Sequence, residues 1–275
     1  MHPILLELPF GLRVYAYGFM LCVSVIAGRE LAVRLARREG MDGALTRRAA
    51  IWAVVGAIIV ARLLYVATNP DQFHSLLDVV SVWKGGVVAY GGFLGGFIGT
   101  LAFCRLHRLR VLPWVDCVAP ALCIGLLFTR LGCFLAGCDF GQPWDGPLAV
   151  EFPAGSIAHK QQVMQGLLPA TATASLPVHP TQLYESFAGA ALFGGVMFVR
   201  SRRGFFGQPF LVFVAGYGVL RAVIEVFRAD VDRGAVGILS TSQFIAAATI
   251  VAAIAATVVL RRRSARPGGS VSYIA

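Results

Sequence analysis

The chain alternates between long apolar blocks and short polar ones. A helix needs about 20 apolar residues to cross hydrocarbon, and windows of that kind fall at 14–34, 49–67, 86–104, 112–130, 182–200, 208–227 and 240–260. No period-two alternation marks membrane strands, and backbone groups in lipid must find their partners within their own segment. The pattern therefore predicts an all-α integral membrane protein with seven transmembrane helices. The longest polar stretch, 131–181, is rich in Gly, Pro, Ala and Thr and is too short and too poor in apolar residues for an independent core. It is expected to form a small external cap between helices four and five. No linker or repeat divides the sequence, so 1–265 reads as a single polytopic membrane domain and 266–275 as a disordered tail.

Charge sets the expected orientation. The 275 residues are 57% hydrophobic and 14% charged, with a formal net charge of +10. The excess is not spread as a nucleic-acid footprint. It gathers in alternate loops, at Arg34, Arg37, Arg38, Arg47 and Arg48, at Arg105, Arg108 and Arg110, at Arg200, Arg202 and Arg203, and at Arg261, Arg262, Arg263 and Arg266. The intervening loops carry Lys84, Lys160, and Arg233 beside Asp230 and Asp232. By the positive-inside rule the N-terminus lies outside and the C-terminus in the cytoplasm. The N-terminal stretch lacks a basic n-region and a small-residue cleavage site, so span one is expected to remain in the mature protein.

Charges inside these spans cost several kcal/mol unless paired or hydrated, which makes each a functional candidate. Arg62 lies in span two, Arg130 ends span four, Glu185 opens span five, and Arg221 and Glu225 share one face of span six. Arg62 and Arg130 have no carboxylate at helical spacing and need a partner from elsewhere, protein or ligand. Convergent arginines with fewer carboxylates would bind an anion, and a lipid phosphate suits the guanidinium fork. The glycine pairs of "GGVVAYGGFLGGFIG" allow either close helix packing or room for a ligand.

His179 in "HPTQLYES" reads as a turn residue, with Thr181 as N-cap and Glu185 in the first helical turn, or as a general base. Tyr17 and Tyr184 suit interfacial anchoring. Cys133 and Cys138 are placed at the oxidising outer face by topology. Their spacing matches neither a CxxC motif nor a zinc pattern, which leaves a disulfide, reactive thiols or inert packing.

Taken in order, "YAYGFML", "VARLLYV", "VVAYGGFLGG", "TRLGCFLAGCDFG", "HPTQLYES", "YGVLRAVIEVFR" and "GILSTSQ" resemble the prolipoprotein diacylglyceryl transferases, bacterial integral membrane enzymes of lipoprotein maturation. The resemblance implies a multi-pass protein of the bacterial cytoplasmic (inner) membrane. It implies transfer of a diacylglyceryl group from phosphatidylglycerol to a prolipoprotein cysteine thiol or related acceptor, with release of glycerol-1-phosphate. It implies no cofactor, no metal and no nucleic-acid partner. Carried over, Arg130, Arg221, Glu225, Tyr90 and Tyr17 are the catalytic candidates. Arg62, Arg130, Arg221, Gly91, Gly92, Gly132 and Gly141 are the candidates for lipid and phosphate binding, supported by His179, Gln182, Tyr184, Glu185 and Arg228.

The sequence departs from the family pattern at three positions. Tyr90 stands where the family has a histidine, Cys133 where it has an asparagine, and Cys138, beside Asp139, where it has a glutamate. An unperturbed tyrosine, with a pKa near 10, is a poor base at neutral pH. Two other readings compete with transfer: a non-catalytic phospholipid-binding or phospholipid-moving protein that has lost its base, and a thiol–disulfide oxidoreductase using Cys133 and Cys138.

Overall fold

The structure, a computed structural model, describes residues 3–7, 9, 13–73, 75–82, 85–229, 235–236 and 239–265. Lys84, Asp230, Asp232, Arg233, part of "GILSTSQ" and the expected tail 266–275 lie outside the described residues. The described elements are α1 (Ala16–Arg38), α2 (Gly43–Thr68), α3 (Leu76–Val80), α4 (Ala89–Leu106), α5 (Val111–Ala136), α6 (Ile157–Met164), α7 (Thr181–Ser201), α8 (Gln208–Glu225) and α9 (Thr241–Ser264). Two short antiparallel pairs join them, β1 (Ile4–Glu7) with β2 (Arg13–Tyr15) and β3 (Ala235–Val236) with β4 (Leu239–Ser240). Each of the seven expected spans falls on a long helix. Among the described residues, α2, α5, α8 and α9 are long and apolar enough to cross a membrane.

Two compact units are present, and their boundaries fall within α1 and α5: residues 29–117 form one, and 1–28 with 118–275 form the other. In the first unit α2 and α4 pack through glycines. A side chain on Gly95 would meet the Gly56 carbonyl, one on Gly99 the Trp52 carbonyl, and one on Gly91 the Ala61 backbone. The four-residue spacing aligns these three glycines along one face of α4 and lets the backbones approach, as small residues do in lipid. Gly91 therefore serves helix packing, whereas Gly92 faces open space.

Arg62 finds its partners within the same unit. Its Nε donates to the Val79 carbonyl at 2.9 Å, Nη1 to Gly85 and Gly86 at 2.5 and 2.7 Å, and Nη2 to Asp78 at 2.6 Å. Its guanidinium also lies over the Phe73 ring. The loop that follows α3 is thus tied to α2 by one buried cation.

In the second unit, α8 packs against both α7 and α9, while Gly189 brings α7 against Cys123 and Leu127 of α5. The cap is more ordered than its composition suggests. Phe140, Phe152, Ala158 and Val178 form a small core that leans on Phe134 of α5 and on Ala229. Isolated bridges pair Pro143 and Val150 with Val178, and Pro153 with Ala174. Ser156 caps α6, and the buried Gln162 side chain accepts from the Leu176 amide at 2.8 Å.

Candidate functional site

Three segments distant in sequence meet where α5 ends, α7 begins and α8 ends. Arg130 occupies the last turns of α5. Beyond them, Gly137 at φ 75° and Asp139 at φ 57° turn the chain back. That left-handed conformation is open to glycine and tolerated by aspartate. The start of α7 clamps this turn, because Thr181 Oγ1 donates to the Asp139 carbonyl at 2.8 Å and Gln182 Nε2 to the Cys138 carbonyl at 2.7 Å. The N-cap expected at Thr181 is therefore corrected: the helix begins at Thr181 itself, and its hydroxyl is used across the fold. Likewise Glu185 is not a first-turn dipole partner. It is a buried acid in a charge cluster, 1% exposed at its side chain.

The cluster contains three arginines and three carboxylates. Arg130 Nε lies 2.6 Å from Glu185 Oε2, and its Nη1 lies 2.9 Å from Asp139 Oδ2. Arg228 reaches Asp139 Oδ1 at 2.5 Å and Glu185 Oε1 at 3.3 Å. Arg221 pairs with Glu225 at 2.5 Å, one helical turn on, and lies 4.0 Å from Glu185. The residues after α8 complete the frame: Ser240 Oγ donates to Glu225 Oε1 at 2.9 Å, and Ser242 accepts from Arg221 Nη2 at 3.2 Å.

Two sequence expectations change here. The third arginine is Arg228 and not Arg62, whose donors serve carbonyls in the other unit. The cluster also has no surplus of cations, since Asp139, Glu185 and Glu225 match the three arginines. It nevertheless keeps a donor to offer, because Arg221 Nη1 is buried without a hydrogen-bond acceptor among the described residues.

Asp139, Ser240 and Ser242 were missed as site residues. The place of Asp139 beside the signature cysteines and that of both serines in "GILSTSQ" are the signals that point to them. Burial alone would raise the Asp139 carboxyl, but Arg228 and Arg130 together hold it below the usual carboxylate range.

Cys133 and Cys138 are free thiols, so of the three alternatives the disulfide is not formed in this structure. Cys133 Sγ donates to Asp139 Oδ2 at 3.5 Å, and Cys138 Sγ to the Cys133 carbonyl at 3.7 Å. The one Cys133 S–H is shared between Asp139 Oδ2 and the Cys138 sulfur, and that sharing is the main cause that pulls the Cys138 thiol below its ordinary pKa. The two sulfurs and an Asp139 oxygen lie within 4.8 Å of one another. Both Asp139 oxygens are already held by guanidiniums, whose charge repels a cation, so this trio is a poor metal centre.

The glycines of the signature serve close approach. Gly132 packs on the Tyr17 backbone and Met20, and Gly141 fits between His179 and the Phe227 carbonyl. Tyr17 lies within electrostatic reach of Arg130 and Asp139. Tyr90, 48% exposed near the start of α4, belongs to the other unit. His179 stacks on Trp144 with ring centroids 4.2 Å apart, and its Nδ1 lies 3.3 Å from Tyr184 Oη.

Apolar spanning helices around a buried, charge-balanced arginine–carboxylate centre define a helical membrane protein with a polar site built from three helix ends. Residues 3–259 match the family model described as prolipoprotein diacylglyceryl transferase, and the chain belongs to that family. It is 32% identical over 254 residues to the phosphatidylglycerol–prolipoprotein diacylglyceryl transferase of Clostridium tetani, covering 92% of this chain and 96% of that one. A Thermosynechococcus vestitus protein of the same name is 34% identical over 228 residues, covering 82% and 81%. A second Clostridium enzyme, transferase 2 of Clostridium perfringens, is 31% identical over 241 residues, covering 86% and 87%.

Proposed function

We propose that this protein transfers the diacylglyceryl group of phosphatidylglycerol to a cysteine thiol of a prolipoprotein, acting as a multi-pass protein of the bacterial inner membrane. The alternating loop charges support seven crossings in one polytopic domain, with the N-terminus outside and the cap at the outer face. The observation that carries the reading is the buried cluster of Arg130, Arg221 and Arg228, in which Arg221 Nη1 has no acceptor among the described residues.

The chemistry asks for cations where charge develops. A thiolate attacks the glyceryl carbon next to the phosphate ester oxygen, a C–S bond forms, and the C–O bond breaks. Its electron pair leaves on glycerol-1-phosphate. Guanidiniums fixed in advance by Glu185, Glu225 and Asp139 stabilise that added charge without reorganising, in a site sheltered from water. The carboxylates hold the forks in place, and the headgroup phosphate supplies the acceptor that Arg221 Nη1 lacks. Phosphate binding is assigned to Arg130, Arg221 and Arg228. Tyr17, beside Gly132, is placed to line the same site.

The family match favours transfer over the non-catalytic and redox readings. The test is purified protein with labelled phosphatidylglycerol and a cysteine-bearing prolipoprotein peptide, read by mass spectrometry. A peptide mass increased by one diacylglyceryl group is expected from the wild type and absent for Arg221→Ala. Equal labelling by Arg221→Ala would sink the reading.

A further inference from the structure

Beside the charge cluster lies a second feature that the headgroup does not use. A cavity of about 570 Å³ opens against the neighbouring face of α8, within the size range of small-ligand sites. Leu220, Val223 and Phe227 form one wall, and Tyr184, His179 and Trp144 form the other. At about 100° per residue, Leu220 and Val223 lie on a face of α8 adjacent to the one carrying Arg221 and Glu225, and Phe227 precedes Arg228 just beyond the helix end. A group held in the cavity therefore sits next to the phosphate centre without entering it.

We propose that this cavity receives the acceptor segment of the prolipoprotein and that His179, in its wall, takes the proton from the acceptor thiol. The inference rests on the transfer reading above and names the acceptor's subsite and base.

The lining selects the occupant. A lipid acyl chain has no use for an imidazole, whereas a thiol must lose its proton to attack. The apolar and aromatic walls suit apolar side chains around the cysteine, and His179 sets one imidazole among them. His179 is held in place from several sides. Its amide donates to the Gln142 carbonyl at 3.0 Å, its carbonyl accepts from Gly141, and its ring stacks on Trp144 and meets Phe227 edge-on.

In the tautomer whose Nδ1–H donates to Tyr184 Oη, Nε2 keeps the lone pair that accepts the proton. Tyr184 on α7 is the titratable group facing the ring. From the α8 side it meets the Phe227 ring, and the Arg228 guanidinium is directed to Asp139 and Glu185. Burial holds the imidazole below its ordinary pKa, which favours the neutral form that can accept a proton. In the step, the S–H proton moves to His179 Nε2 and the thiolate attacks the glyceryl carbon. Glycerol-1-phosphate leaves with the C–O electron pair, and the imidazolium returns its proton to that phosphate or to water.

Steady-state transfer between mixed micelles of phosphatidylglycerol and a cysteine-bearing prolipoprotein peptide tests this, with separate KM values for each substrate. His179→Gln should lower kcat by at least about 100-fold near pH 6.5, and the loss should shrink as pH rises past the thiol's ordinary pKa of about 8.5. Val223→Trp fills the cavity from its α8 wall. It should raise KM for the peptide at least about tenfold and leave KM for phosphatidylglycerol unchanged. A His179→Gln loss that is constant across pH, or no loss, overturns the assignment of the base. A Val223→Trp effect on the lipid KM places an acyl chain in the cavity instead, and no effect on either KM also overturns the subsite. Absence of transfer by the wild type would refute the transfer reading itself, a distinct outcome.

Discussion

Arg130 Nε lies 2.6 Å from Glu185 Oε2, although the two side chains come from the end of one helix and the start of another. Glu185 is also 3.3 Å from Arg228 and 4.0 Å from Arg221, so one buried carboxylate is shared by three guanidiniums.

Glu185→Gln keeps the shape and removes that shared charge, leaving three cations against two anions. Breaking a buried ion pair in this way costs about 3–5 kcal/mol. Thermal unfolding in detergent should show a markedly lower midpoint, and an unchanged midpoint would mean that Glu185 does not hold the cluster together.

Charge alone should not replace the guanidinium fork. Arg130→Lys keeps the cation but cannot serve Asp139 and Glu185 at once in the same plane. Transfer should drop by roughly 100-fold, the scale for losing a fixed donor at a developing anion, while the helical circular dichroism stays as in the wild type. Retention of full activity would remove Arg130 from the phosphate site.

The two signature thiols should differ in reactivity. Cys138 is half-buried and its thiol is held below its ordinary pKa, so its thiolate persists to lower pH than that of an ordinary cysteine. Alkylation followed by mass spectrometry should modify Cys138 before Cys133, with a rate that falls only as pH drops through the lowered pKa. Cys133→Ala removes the S–H that Cys138 shares with Asp139 and should shift that rate profile to higher pH. Faster labelling of Cys133 in the wild type would contradict the arrangement.

Arg62 tests a structural role in the other unit. Arg62→Gln forfeits most of four bonds to carbonyls at 2.5–2.9 Å. With bonds to charged groups contributing about 1.5–3 kcal/mol each, and not additively, stability should fall by about 3 kcal/mol or more. Limited proteolysis should open the segment 76–86 first. Cleavage at wild-type rates there would show that Arg62 is not what holds that loop.

Much of this architecture was legible in the linear pattern, and particular residues show where legibility stopped. Arg221 and Glu225 share a helix, so their spacing alone announced the pair. Gly91, Gly95 and Gly99 allowed either a close helix contact or room for a ligand, and only the fold chose the contact and named α2 as the partner. Arg62 and Arg228 were both visible as arginines near apolar spans, yet only one joins the cluster, because carbonyl acceptors from 78–86 fold onto the other. His179 read most simply as part of a turn, and no sequence signal showed the cavity that it walls with Trp144.

The sequence by itself determined the class of fold and the family. Hydrocarbon tolerates only long apolar helices whose backbone groups are paired within the segment, and that constraint is written directly in residue order. Tertiary structure decided the site. Charge compensation acts through space over a few ångströms, so the acid that meets Arg130 depended on how α5 and α7 pack and not on spacing along either. The left-handed turn at Asp139 and the clamp by Thr181 and Gln182 brought a carboxylate between Arg130 and Arg228. The same turn set the two signature cysteines as free thiols beside Asp139, where their spacing along the chain had left a disulfide, reactive thiols and inert packing all open.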